Sequence, residues 1–95
     1  LRLMEVKQSP HFLRTIKRLQ PAQKKALDKA VAAIAADPGL GDEKVGDLSG
    51  ISIYKFKSNK IDWLLAYRII SKSQIKLLVV GTHENFYRDL KKTDQ

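Results

Sequence analysis

The chain has no cysteine among its 95 residues. Disulfides, thiolate metal centres and a cysteine nucleophile are thereby excluded. Histidine is nearly as scarce. His11 and His83 are too far apart in sequence to give a paired metal-ligand spacing, so neither a metal nor a cofactor is expected. No apolar run approaches the ~20 residues of a membrane-spanning helix. Even Ile75 to Gly81 is interrupted by Lys76. No internal repeat or low-complexity tract is present. A cytoplasmic protein without a secretory signal or membrane attachment is expected. Met4 is read as the natural start, with Leu1 to Leu3 a cloning remnant or the end of a longer upstream segment.

What the sequence does have is positive charge. Hydrophobic residues make up 43% and charged residues 29%, the balance of a globular chain. A single domain spanning residues 1–95 is the natural reading at this length. The net charge is +8, and residues 55–95 carry nine Lys/Arg against four Asp/Glu. Such a surface attracts nucleic acid, anionic membranes or acidic proteins; a merely soluble basic surface is the plainer alternative.

The hydrophobic pattern gives an order of elements. Met4 to Ser9 alternates loosely as a short strand. Ser9-Pro10 reads as a helix start, because serine caps well and proline loses nothing at the first helical position. Phe12, Leu13, Ile16 and Leu19 follow at helical spacing. Gln20-Pro21 starts a second helix whose apolar stripe is Ala22, Ala26, Leu27, Ala30, Val31 and Ile34. Lys24, Lys25, Asp28 and Lys29 largely decorate its exposed side, and Asp37-Pro38-Gly39 ends it. Residues 39–50 read as a loop. Three strands follow, Ile51 to Lys57, Asp62 to Ile70 and Ile75 to Val80, joined by short turns at Ser58-Asn59-Lys60 and Ser71-Lys72-Ser73. A short helix over Glu84 to Lys92 closes the chain. Short turns imply antiparallel neighbours. The expected fold is therefore α+β: an antiparallel sheet in the order β-α-α-β-β-β-α, with the helical hairpin packed on one face.

That order, together with particular residues, resembles the RelE/ParE superfamily of type II toxins. Asp62-Trp63-Leu64-Leu65-Ala66-Tyr67-Arg68-Ile69 resembles the central strand of these proteins. Gly81-Thr82-His83 followed by Tyr87 resembles their C-terminal signature. The Asp-Trp-Leu-Leu run and the Gly-Thr-His triplet look most similar to the YafQ-like branch. Val79 stands where that branch carries an arginine, and its additional histidines are absent here. The resemblance implies a toxin held by a cognate antitoxin, the pair joining to repress their own operon by binding operator DNA. The basic surface leads us to expect an antitoxin that is acidic and partly disordered when free. The resemblance offers two activities: cleavage of messenger RNA in the ribosomal A site, which inhibits translation, or poisoning of DNA gyrase without chemistry.

Metal-free RNA cleavage asks for few groups. One takes the 2′-hydroxyl proton, one protonates the leaving 5′-oxygen, and others stabilise the charge on phosphorus. Histidine suits the proton steps, since its unperturbed pKa lies near ~6.5. Position alone favours His83 as a residue that caps a helix or holds a carbonyl; the resemblance turns the reading to a general acid or base. Tyr87, one helical turn on, shares its face. It is a candidate for stacking on a base or assisting a proton transfer, with a core aromatic as the alternative. Arg68 is the third candidate catalytic group, an arginine fork suited to phosphate oxygens. Lys55 and Lys57, on one strand face, are candidate phosphate holders, and a solvated edge is the alternative for Lys57. Asp62 is placed to orient a histidine, and Arg88 to extend the basic surface toward the substrate. An endoribonuclease of the messenger-cutting kind is the expected function, with gyrase inhibition as the alternative. His11 is read as structural or surface.

Overall fold

The computed structural model describes residues 4–92, so the expectation for residues 1–3 lies outside the described residues. The chain forms β1 (Glu5–Gln8), α1 (Pro10–Ile16), α2 (Pro21–Ala36), β2 (Asp42–Glu43), β3 (Ile51–Ser58), β4 (Ile61–Ser71), β5 (Gln74–Thr82) and α3 (His83–Lys92). The fold is α+β, with the helical hairpin on one face of the sheet.

The strands lie side by side in the order β1-β5-β4-β3-β2. β3, β4 and β5 are antiparallel neighbours, whereas β1 runs parallel to β5. The sheet is therefore mixed rather than wholly antiparallel. The reason is topological: the chain leaves β1 through α1 and α2 before it re-enters the sheet, a crossover long enough to bring strands together in parallel. The loop expected over 39–50 holds two 3-10 turns, Pro38–Leu40 and Gly46–Leu48, and the two-residue strand β2. Two residues are too few to leave an alternating pattern.

Local chemistry sets the ends of the elements. The Ser9 hydroxyl accepts from Phe12 N at 3.0 Å and donates to Leu78 O at 2.8 Å, so one buried cap both starts α1 and ties it to β5. The Gln23 side chain accepts from Gln20 N at 3.0 Å at the start of α2. The β3–β4 hairpin turns on Asn59 and Lys60 alone, both with positive φ (52° and 68°). A two-residue turn of that kind matches the twist of its strands and locks their register. The register here sets Lys57 opposite Asp62.

Both faces of the sheet are covered. Phe12, Leu27, Ala30 and Ile34 of the hairpin pack on Leu65, Tyr67, Ile75 and Leu77. On the other face Phe86 and Leu90 of α3 pack on Ile51, Ile53, Leu64, Ala66, Leu78 and Val79. Two positions of the expected stripes fall elsewhere. Leu13 and Ala22 are both exposed. α1 ends at Ile16, too short to cover the sheet with more than one side.

Candidate functional site

The site is built where the β3–β4 hairpin meets the end of β5. Side chains alternate along β3, and Ile51 and Ile53 point to the α3 face. Lys55 and Lys57 continue that face beyond the cover of α3 and are exposed. On β4 the same face carries Asp62, directly opposite Lys57. The Lys57 ammonium and the Asp62 carboxylate stand 3.1 Å apart, both open to solvent. The hydrogen bond from Lys57, with its charge, holds the Asp62 carboxyl below the usual 3.8; Lys55 and His83 act in the same direction more weakly. An exposed pair of this kind contributes little to stability. It does fix the carboxylate in a cationic surround.

His83 follows directly, because Thr82 pairs with Trp63 and the chain then turns into α3. His83 is exposed on the first turn of that helix. Tyr87 sits one turn later, its ring centroid 5.8 Å from that of His83 at an interplanar angle of 60°. Phe86 meets Tyr87 edge-on at 5.1 Å and is itself buried in the core, which holds Tyr87 from behind. The buried aromatic is therefore Phe86, and Tyr87 remains half-exposed. His83, Tyr87, Asp62, Lys55 and Lys57 thus share one end and one face of the sheet.

Arg68 does not join them, which corrects the expectation of a shared centre. It lies on the same face but six residues along β4 from Asp62, roughly 20 Å at the rise of a strand. Its register partners are Ile51 and Lys76, at the opposite end of the sheet. There its guanidinium covers the turn at Gly50, where a Cβ would stand 2.6 Å from Nη1. Arg88 is exposed and 3.8 Å from Asp89. Five residues after His83 it lies about 140° around the helix, so it faces away from His83. Val79 is fully buried under α3, so that position does not reach the site.

Tyr67 is a residue whose role the sequence pattern did not disclose. It is fully buried, donates to Pro38 O at 2.6 Å and accepts from Gly41 N at 3.0 Å. Burial raises its hydroxyl above the ordinary 10.0, although the Gly41 bond opposes this. A Cβ at Gly41 would stand 2.6 Å from that hydroxyl, so glycine is required there. His11, read as structural, lines a cleft of about 290 Å³ with Thr15, Arg18, Trp63 and Thr82, while its carbonyl accepts from Thr15. No local signal marks either role, since both depend on contacts distant in sequence.

Among the described residues no group of three or more His, Asp or Glu is placed to hold a metal ion. No helix among them is long and apolar enough to cross a membrane. The arrangement can bind phosphate oxygens through lysines and move a proton at an imidazole or a phenol.

A small mixed sheet with a helical hairpin on one face, and a terminal helix opening on a histidine, defines the class of protein. Residues 6–91 match the family model described as a ParE-like toxin of type II bacterial toxin–antitoxin systems. The chain belongs to that family, within the RelE/ParE superfamily, and a cognate antitoxin is its partner. Comparison with curated proteins and with solved structures returns no match.

Proposed function

We propose that this toxin inhibits translation by cutting messenger RNA on the ribosome. One observation carries the reading: the His83 and Tyr87 rings stand 5.8 Å apart, at the end of the sheet that also presents Lys55, Lys57 and Asp62. In the proposed step a 2′-hydroxyl loses its proton and attacks the adjacent phosphorus in line. The bond to the 5′-oxygen breaks, leaving a 2′,3′-cyclic phosphate and a 5′-hydroxyl. His83 takes the 2′-proton and the Tyr87 phenol, whose ring also stacks on a base, protonates the leaving oxygen. Lys55 and Lys57 hold the phosphate oxygens, and Asp62 keeps Lys57 in place. Arg68 has no part in this reading, and Arg88 contributes to long-range attraction of RNA.

A second reading is inhibition of DNA gyrase without chemistry. The dispersal of the cations favours it: Arg68 is roughly 20 Å from Asp62, so that arginine fork does not back His83. Inducing the toxin in cells and mapping RNA 5′ ends beside DNA breaks separates the two. Codon-phased cuts in translated messages are expected. DNA damage signalling with intact messages would falsify the ribonuclease reading.

A further inference from the structure

The second half of β5 has a strand on one side only. β1 pairs with β5 from Gln74 to Leu77, so no described strand lies on the outer side of Leu78 to Thr82. Two helices flank that stretch instead. The Ser9 bond to Leu78 O starts α1 along one face, and Phe86 and Leu90 hold α3 against the other. Between the helices opens a cleft of about 290 Å³. His11 and Arg18 reach it from α1, Trp63 and Thr82 from the sheet, and Phe86 and Asp89 from α3. Trp63 is half-buried, and Phe56 stacks on its indole with ring centroids 6.3 Å apart at 25°. Phe56 does not line the cleft, so it supports the indole from outside.

These groups differ in kind, and each answers one part of a nucleotide. An aromatic ring held from outside offers a surface on which a base stacks. Arg18 is exposed, and its guanidinium suits phosphate oxygens. The Asp89 carboxylate accepts from an amino group on a base edge, and the His11 imidazole can donate or accept. The volume lies at the small end of ligand sites, which run roughly 300–1,000 Å³, so it takes one nucleotide rather than a stacked run. An acidic peptide fits less well, because Asp89 is in the wall. We infer that the cleft between α1 and α3 binds a single nucleotide, its base against Trp63 and its phosphate at Arg18. Three of the lining residues are chain neighbours of the candidate site: Trp63 follows Asp62, Thr82 precedes His83 and Phe86 precedes Tyr87. Successive strand residues point to opposite faces, so Asp62 and Trp63 look to opposite sides of one strand end. An RNA strand with one base at Tyr87 rounds the end of β5 and sets an adjoining base in the cleft. There the cleft selects the base beside the cut, and the Asp89 carboxylate favours an amino-bearing base over uracil. That placement rests on the ribonuclease reading, whereas nucleotide binding by the cleft does not.

Trp63 is the one tryptophan of the chain, so its fluorescence reports on the cleft wall. Adenosine 5′-monophosphate added to the purified toxin should quench it saturably. Ribose 5-phosphate, which lacks the base, should not. Quenching that never saturates overturns the proposal, as does equal quenching by both ligands. Amide resonance shifts under the same titration should centre on His11, Thr82 and Asp89. Shifts confined to Lys55 and Lys57 would put the nucleotide elsewhere and overturn the assignment. Arg18→Glu should keep the unfolding midpoint, since Arg18 is exposed, and weaken the nucleotide roughly tenfold or more. Undiminished affinity would remove the phosphate from Arg18 and sink the proposed pose. Message cleavage in cells by a toxin whose Trp63 is not quenched would sink the cleft and spare the ribonuclease reading. Saturable quenching in a toxin that leaves messages intact would do the opposite.

Discussion

The two ends of β4 use polar residues in opposite ways. At the hairpin end Asp62 is exposed, meets Lys57 across the strand pair and lies in the field of Lys55 and His83. At the far end Tyr67 is buried against Pro38 and Gly41, and Arg68 lies over Gly50. The first arrangement leaves charges accessible and contributes little to folding. The second satisfies the buried Tyr67 hydroxyl as both donor and acceptor, and loss of that ring leaves Pro38 O and Gly41 N without it. One strand thus divides into an exposed, charged end and a buried, structural end, and solvent access makes the difference.

Six substitutions probe that division. The largest effect is expected for Tyr67→Ala, which removes a fully buried ring and strands Pro38 O and Gly41 N. A loss of about 3–5 kcal/mol in urea unfolding is expected, a large part of the stability of so small a domain. A loss under about 1 kcal/mol would erase the contrast between the ends. His83→Ala should do the reverse. On the ribonuclease reading proposed above, cleavage of translated message falls by on the order of 10²–10⁴-fold, while stability shifts by no more than about 0.5 kcal/mol. Full toxicity in a folded His83→Ala protein would remove His83 from the chemistry.

Gly50→Ala comes next. Gly50 has φ of 86°, and the added methyl would meet the Arg68 guanidinium. A cost of about 1–3 kcal/mol is expected from the backbone conformation alone; a neutral result in thermal melts would show that the turn relaxes freely. At the hairpin end Lys60→Gly should instead stabilise, by on the order of 1 kcal/mol, since it relieves a left-handed residue with φ of 68°. Destabilisation would mean that the Lys60 side chain makes a contact worth more than the strain.

The smallest effects are in pH. Asp62 is held below 3.8 when folded, so its contribution is present above that value and fades as pH falls through the lower folded value. Tyr67 is raised above 10.0, so its contribution is present below that value and is lost as pH rises through the folded value. Asp62→Asn should flatten only the acid limb of the unfolding midpoint, and Tyr67→Phe only the alkaline limb. Superimposable acid limbs for the native protein and Asp62→Asn would dissolve the Lys57–Asp62 coupling.

Much of this was legible in the sequence. The caps and prolines at Ser9-Pro10 and Gln20-Pro21 placed both helices, because capping is local chemistry. The alternation of Ile51, Ile53, Lys55 and Lys57 against Tyr54 and Phe56 fixed which face each side chain takes, and the structure keeps that division. His83 and Tyr87 are one helical turn apart, so their pairing needed no tertiary contact. Three features escaped. The parallel pairing of β1 with β5 depends on where a crossover returns. β2 is too short for any period. Tyr67 looks like one more apolar residue of a central strand until the loop at Pro38 folds over it.

Sequence by itself therefore determined the helices, the longer strands and their faces, because helix caps, turn residues and side-chain alternation act within a few residues, and its motifs carried the resemblance to a toxin family. Tertiary structure decided which charges meet. Lys55, Lys57 and Arg68 look equivalent as basic strand residues, yet the hairpin register brings the lysines to Asp62 and carries Arg68 to the opposite end of the sheet. A strand advances about 3.3 Å per residue, so six residues along one face are enough to separate an exposed charge pair from an arginine that covers a turn.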